Sequence, residues 1–183
     1  MKILTGALRG QMLHYTKNPH LRPTADKVRK ALMDMLAQRL EGARVLDLFA
    51  GTGALGIEAL SGGAESAVFV EKIDAQAKKI EDNIRRLGLS ERSEIRPVEA
   101  AEALADLERA GKLFDIIFVD PPYAGTTGLT TLQTLAGSSL VHENSLIIWE
   151  SAAKDPVPDK VGRLRVLKEK AYGDSRIIIF QRV

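Results

Sequence analysis

The sequence predicts an α/β fold: a mainly parallel, seven-stranded sheet with helices on both faces, closed by an antiparallel C-terminal edge hairpin and preceded by a small β-hairpin and a helix. Three observations carry that expectation. From Arg44 onward, short runs rich in β-branched and aromatic residues alternate with stretches of helical periodicity, the pattern of parallel strands joined by crossover helices. The last two β-rich runs have no crossover between them and meet near Gly173-Asp174, and sequential strands joined by so tight a turn are antiparallel. Glycines and carboxylates follow several of the runs directly, at Asp47 to Gly56, at Glu71 and at Asp120. An open α/β sheet builds its ligand site there, outside the carboxyl ends of its strands.

In chain order, residues 2–9 and 11–17 read as two short strands turning about Gly10, and Leu21-Arg22-Pro23 as a connector. Thr24 is placed as a helix N-cap, with Lys27 where a full capping box would carry Glu or Gln. Val28, Leu32, Met35, Leu36 and Leu40 keep helical spacing up to Gly42, while Lys27, Lys30 and Asp34 fall off that stripe. Strands are expected at 44–49, 66–71, 93–98, 114–120 and 145–150, and helices at 54–61, 74–87, 100–110 and 128–137. Residues 152–160, with Pro156 and Pro158, read as a loop before the final strands at 163–172 and 175–182. The length suits one domain, divided here into a basic hairpin extension at 1–20 and a main domain at 21–183.

Composition narrows the chemistry. An apolar content of 45% and a charged content of 27% suit a globular protein able to bury a core. No apolar stretch is long enough to span a bilayer, and Met1-Lys2-Ile3-Leu4 begins no secretory signal pattern. The absence of cysteine excludes disulfides, cysteine–zinc sites and a thiolate nucleophile. His14, His20 and His142 lack metal-ligand spacing and read as surface or loop residues. Residues 1–40 hold eight basic side chains against Asp26 and Asp34 alone, whereas the remainder holds 18 basic and 22 acidic ones. A basic leading segment on an acidic body suggests contact with nucleic acid, and a solvated amphipathic surface is the plainer alternative.

Asp120-Pro121-Pro122-Tyr123 is the most specific motif. It follows the apolar run at 114–119 and so stands just past the carboxyl end of a strand. Two prolines stiffen the backbone. A carboxylate and a rigid carbonyl can both accept from an exocyclic amino group, and Tyr123 can stack on the ring that bears it. The motif is a holder for a planar amine such as a nucleobase, set against the plainer reading of a strand-ending turn.

Gly51-Thr52-Gly53-Ala54-Leu55-Gly56 fits G-x-G-x-x-G between a strand and a helix, with Glu71 20 residues beyond Gly51. That pattern alone serves a dinucleotide or another adenosine cofactor. Asp47 discriminates, because a carboxylate at the strand end repels a pyrophosphate and attracts the sulfonium and ammonium of S-adenosylmethionine. A carboxylate that merely caps the following helix is the alternative for Asp47. In the third loop, Glu99 and Glu102 are both placed to accept from the adenine amino group, and either could instead be a first-turn helix acid.

With these residues in view, the chain resembles the Rossmann-like class I methyltransferases, and more closely the RsmD family of 16S rRNA guanine-N2 methyltransferases. The resemblance runs through Gly6-Ala7-Leu8-Arg9-Gly10, residues 21–29, residues 46–56, Phe69-Val70-Glu71-Lys72 and Val119 to Tyr123. It implies transfer of a methyl group from S-adenosylmethionine to N2 of one guanine in 16S rRNA within the assembled or assembling small ribosomal subunit. It implies a cytoplasmic monomer that uses neither metal nor membrane. By that likeness the Asp47, Gly51 and Gly53 loop holds the methionine part of the cofactor and Glu71 the ribose, and Phe49, Thr52 and Lys72 also bind the cofactor. Glu99 and Ala100 are cofactor-binding, with Glu99 or Glu102 taking the adenine, and Asp120 reaches the cofactor as well as the base. Asp120, Pro121, Pro122 and Tyr123 form the catalytic set, and Arg9, Arg22, Thr24, Lys27 and Arg29 contact RNA. Methylation of adenine N6 in DNA or RNA remains the alternative, since the same motif serves that amine.

Overall fold

The computed structural model describes residues 1–15, 26–121 and 126–183. Two compact units form, Met1–Ala100 and Ala101–Val183.

The first unit contains α1 (Asp26–Leu40), β1 (Arg44–Asp47), α2 (Ala54–Ser61), β2 (Ser66–Val70), α3 (Asp74–Arg86), a 3-10 turn at Ser90–Arg92 and β3 (Ser93–Arg96). Its strands lie in the order β3-β2-β1, all parallel, with Asp47 beside Phe69 and Val70 beside Arg96. Parallel pairing brings the three carboxyl ends to one edge. The near-continuous burial of β1 and β2 is what parallel strands covered on both faces require. α2 packs on β1 and β2 and is buried at every position, which explains its almost wholly apolar sequence.

The second unit contains α4 (Ala100–Arg109, its first residue lying in the first unit), β4 (Phe114–Val119), α5 (Thr127–Gly137), β5 (Val141–Ala152), β6 (Lys160–Val161), β7 (Leu164–Tyr172) and β8 (Ser175–Arg182). β4 and β5 are parallel, and β5-β8-β7-β6 continue antiparallel. The expected α/β architecture, mainly parallel with an antiparallel edge, is therefore present.

The differences are local. The expected front hairpin narrows to one bridge between Lys2 and Met12, with residues 5–10 in turns, because positive φ at both Gly6 and Gly10 bends the chain twice. β5 starts at Val141 instead of 145, since Val141 already pairs with Phe114 across an irregular register. The two-residue strand β6 joins the seven expected strands by pairing with the start of β7. His142 lies in β5, its Nε2 2.9 Å from Asp115. The connector at 21–23, the cap at Thr24 and the end of the second expected strand lie outside the described residues.

Candidate active site

The carboxyl edge of β1–β3 gathers the cofactor-side residues. Asp47 ends β1 and is 2% exposed. The chain then turns through Gly51 and Gly53, at φ of 53° and 75°, before α2 begins. Both angles lie in the left-handed region that glycine adopts without strain. A Cβ on Gly53 would also stand 3.1 Å from the Ile80 side chain, and one on Gly56 would stand 2.3 Å from the Phe69 ring. The first two glycines thus shape the loop, and Gly56 lets α2 lie against β2.

Two carboxylates brace this loop. The Gly56 N–H donates to Asp47 Oδ2 at 3.1 Å, so Asp47 does cap the first turn of α2. Glu71, just past β2, accepts from Gly51 N–H at 2.8 Å with one oxygen and from Ile73 N–H at 2.9 Å with the other. Burial pushes the Asp47 carboxyl up to about 7; the Gly56 hydrogen bond opposes the rise and the neighbouring Glu71 adds to it. Burial also raises Glu71, against its two backbone hydrogen bonds and Lys72. Two buried carboxyls, with Glu71 disfavouring the charge on Asp47, form a site complementary to a cation. A pyrophosphate would add further negative charge.

Phe49 and Thr52 are half-buried along the same loop. Lys72 and Glu99 are exposed and pair at 3.2 Å. Ala100 opens α4, and Glu102 is exposed on that helix's first turn. In the second unit Asp120 directly follows β4, half-buried, and Pro121 is buried. Pro122 and Tyr123 lie outside the described residues, as do Arg22 and Thr24.

One expected RNA contact is corrected. Arg29 is 1% exposed and faces inward. Its Nε donates to Glu58 at 3.2 Å and its Nη2 to the Lys2 carbonyl at 2.8 Å, with Asp26 at 3.1 Å. It holds the N-terminal segment on the first unit and is closed to an external phosphate. Arg9 and Lys27 are exposed as expected. The partner missed in the sequence is Glu58, fully buried on α2. It also accepts from Leu4 N–H (2.7 Å), Thr5 N–H (3.1 Å) and Thr5 Oγ1 (2.8 Å). The signal was there: a lone acid within the apolar helix Ala54–Ser61 needs a buried partner.

The parallel strands, the positive-φ glycine loop and the carboxylates at the ends of β1 and β2 define a class I methyltransferase fold. The chain matches the family described as "Conserved hypothetical protein 95" over residues 1–181. Ribosomal RNA small subunit methyltransferase D of Escherichia coli (strain K12) is 32% identical over 182 residues, covering 100% of this chain and 90% of that protein. The solved structure of yhhF from Escherichia coli superposes with a TM-score of 0.87 at 31% identity, covering 100% of this chain and 97% of that one. The Thermus thermophilus protein TTHA0928 gives 0.84 at 29% identity, covering 100% and 99%. The chain belongs to this family, the RsmD family of methyltransferases.

Proposed function

We propose that this protein transfers a methyl group from S-adenosylmethionine to the exocyclic N2 of a guanine in 16S rRNA of the small ribosomal subunit. The observation that carries the cofactor reading is the pair of buried carboxylates, Asp47 and Glu71, braced against the Gly51–Gly53 turn. S-adenosylmethionine, when bound, supplies an electrophilic methyl group on a sulfonium. Asp47 faces the cationic methionine part, Glu71 takes the ribose hydroxyls, and Glu99, paired with Lys72, takes the adenine amino group. The RNA reading rests on the 32% identity to the named ribosomal RNA methyltransferase and on exposed Arg9 and Lys27.

At the amine, the residues of the second unit do the work. The guanine N2 lone pair is delocalised into its ring and is a poor nucleophile. Asp120 and the Pro121 carbonyl accept its two N–H groups, which favours a pyramidal nitrogen whose lone pair is free to attack. Asp120 then stabilises the positive charge that grows on nitrogen and takes the released proton, directly or through water. Tyr123 stacks on the base once it has left its helix, offsetting about 1–3 kcal/mol of the unstacking cost.

Asp120→Ala tests this assignment. Methyl transfer should fall by about a hundredfold or more, while S-adenosylmethionine binding, followed by calorimetry, stays within about twofold. Turnover retained in that variant would remove Asp120 from the reaction. S-adenosylmethionine bound no better than NAD would remove the cofactor reading instead.

A further inference from the structure

The C-terminal strands carry a second concentration of charge, separate in sequence from the basic first 40 residues. Residues 160–182 hold Lys160, Arg163, Arg165, Lys168, Lys170, Arg176 and Arg182 against Glu169 and Asp174 alone. The register shows how the fold sorts them. Across β7 and β8, Arg165 lies opposite Gln181, Lys168 opposite Ile179, Lys170 opposite Ile177 and Tyr172 opposite Ser175. Directly opposed residues share a face and alternate residues of a strand share a face. Gln181, Ile179, Ile177 and Ser175 are alternate residues of β8, so Arg165, Lys168, Lys170 and Tyr172 all stand on one face. Lys160 lies opposite Arg165 across β6 and joins them.

This sorting depends on one irregularity. The register shifts between Val166 and Lys168 and leaves Leu167 as the extra residue, 59% exposed. A one-residue insertion exchanges the faces of everything beyond it. Without it, Lys168 and Lys170 would leave the face of Arg165. With it, the lone carboxylate of the strand, Glu169, moves to the opposite face and pairs with Arg176 at 2.7 Å. Among the described residues no carboxylate pairs with Lys160, Arg165, Lys168 or Lys170. All four are exposed, and Lys170 is steadied over the Tyr172 ring at 5.3 Å. The row from Arg165 to Lys170 spans about 14 Å.

Like charges set opposite one another across strands are destabilising. Lysines and a bulge do protect an open edge from pairing with other chains. Edge protection has no need, however, for four cations on one face and the single carboxylate on the other. We propose that this face, Lys160, Arg165, Lys168 and Lys170, is a second RNA-contacting surface that takes the phosphate backbone of the substrate. It rests on the reading that the substrate is RNA.

The test is the variant Arg165→Gln/Lys168→Gln/Lys170→Gln. Its affinity for small subunits lacking the modification is measured from 50 to 200 mM salt, together with KM and kcat. The slope of log affinity against log salt should fall by about two to three, and KM for the subunit should rise about tenfold or more. The kcat at saturating subunit and the calorimetric affinity for S-adenosylmethionine should stay unchanged. Arg165→Lys/Lys168→Arg/Lys170→Arg should restore the slope. Lys78→Gln/Lys79→Gln, on exposed positions of α3, should leave it as in the unsubstituted protein. Should the triple variant lose its fold, Lys168→Gln/Lys170→Gln is read in its place, with a slope change of about two. An unchanged slope and KM in a protein that methylates normally overturns the surface alone. An unsubstituted protein that neither binds nor methylates RNA overturns the functional reading with it.

Discussion

Asp47 carries the sharpest consequence at the scale of single residues. Its carboxyl lies near 3.8 in an unfolded chain and is raised to about 7 in the fold, chiefly by burial. Between those values the folded state binds more protons than the unfolded state, so Asp47 lowers stability as pH rises through that window. Asp47→Asn should flatten the pH dependence of the unfolding free energy from about pH 4 to 7, read from urea denaturation, by an amount on the order of a few kcal/mol. The same ionisation is what a cationic ligand requires. Affinity for S-adenosylmethionine should therefore rise from pH 6 to 8 in the unsubstituted protein and rise less in Asp47→Asn; equal pH profiles would detach Asp47 from the ligand. Arg29 and Glu58 make a different prediction. Removing Arg29 leaves the Glu58 carboxylate buried without its countercharge, held only by the Leu4 and Thr5 donors, which costs about 3–5 kcal/mol. Arg29→Ala should therefore lose stability in chemical denaturation, and the salt slope of RNA binding should hold. Loss of slope with unchanged stability would return Arg29 to the RNA surface.

At the scale of elements, the N-terminal segment is fastened more firmly than its sequence suggests. Glu58 takes Leu4 and Thr5, Ser61 takes Leu8 N–H at 3.0 Å, and buried Asn83 exchanges two hydrogen bonds with the His14 backbone. Gly6 lies so close that a Cβ there would stand 1.9 Å from the Ser61 carbonyl oxygen, at φ 73°. Gly6→Ala should shift this segment and expose residues 1–15 to limited proteolysis, at a stability cost of about 1–3 kcal/mol; a protease-resistant variant would contradict that docking. The strand and helix pattern is legible because burial on one stripe or on both faces writes itself into periodicity. α2 falls at 54–61 as read, and the other helices and β1 to β4, β7 and β8 fall within one or two residues of their expected positions. The front hairpin departs from its reading because its ladder yields to side-chain anchors 53 to 69 positions away in the chain, and no local pattern reports such partners. Arg29 departs for a similar reason. It sits at helical spacing from Leu32, Leu36 and Leu40, all buried, and its charge conceals its place on the apolar stripe.

For the whole molecule, the charge distribution is the property that ties fold to substrate. The leading excess of basic residues is visible in the sequence, but which of them face outward is not: Arg9 and Lys27 do, and Arg29 does not. The second basic face is hidden more deeply, because a strand period broken at Leu167 scatters the cations over both faces until the bulge is known. The positions of Asp47 and Glu71 at the strand ends are legible because a glycine loop follows the one and a strand end precedes the other. Salt should consequently weaken RNA binding steeply and S-adenosylmethionine binding little, and parallel titrations of the two ligands from 50 to 200 mM salt check it. The central claim is tested most directly by incubating the protein with methyl-labelled S-adenosylmethionine and small subunits lacking the modification, followed by mass spectrometry of the released nucleosides. N2-methylguanosine should carry the label, at one site per subunit. Label on N6-methyladenosine, or on no nucleoside, would contradict the account.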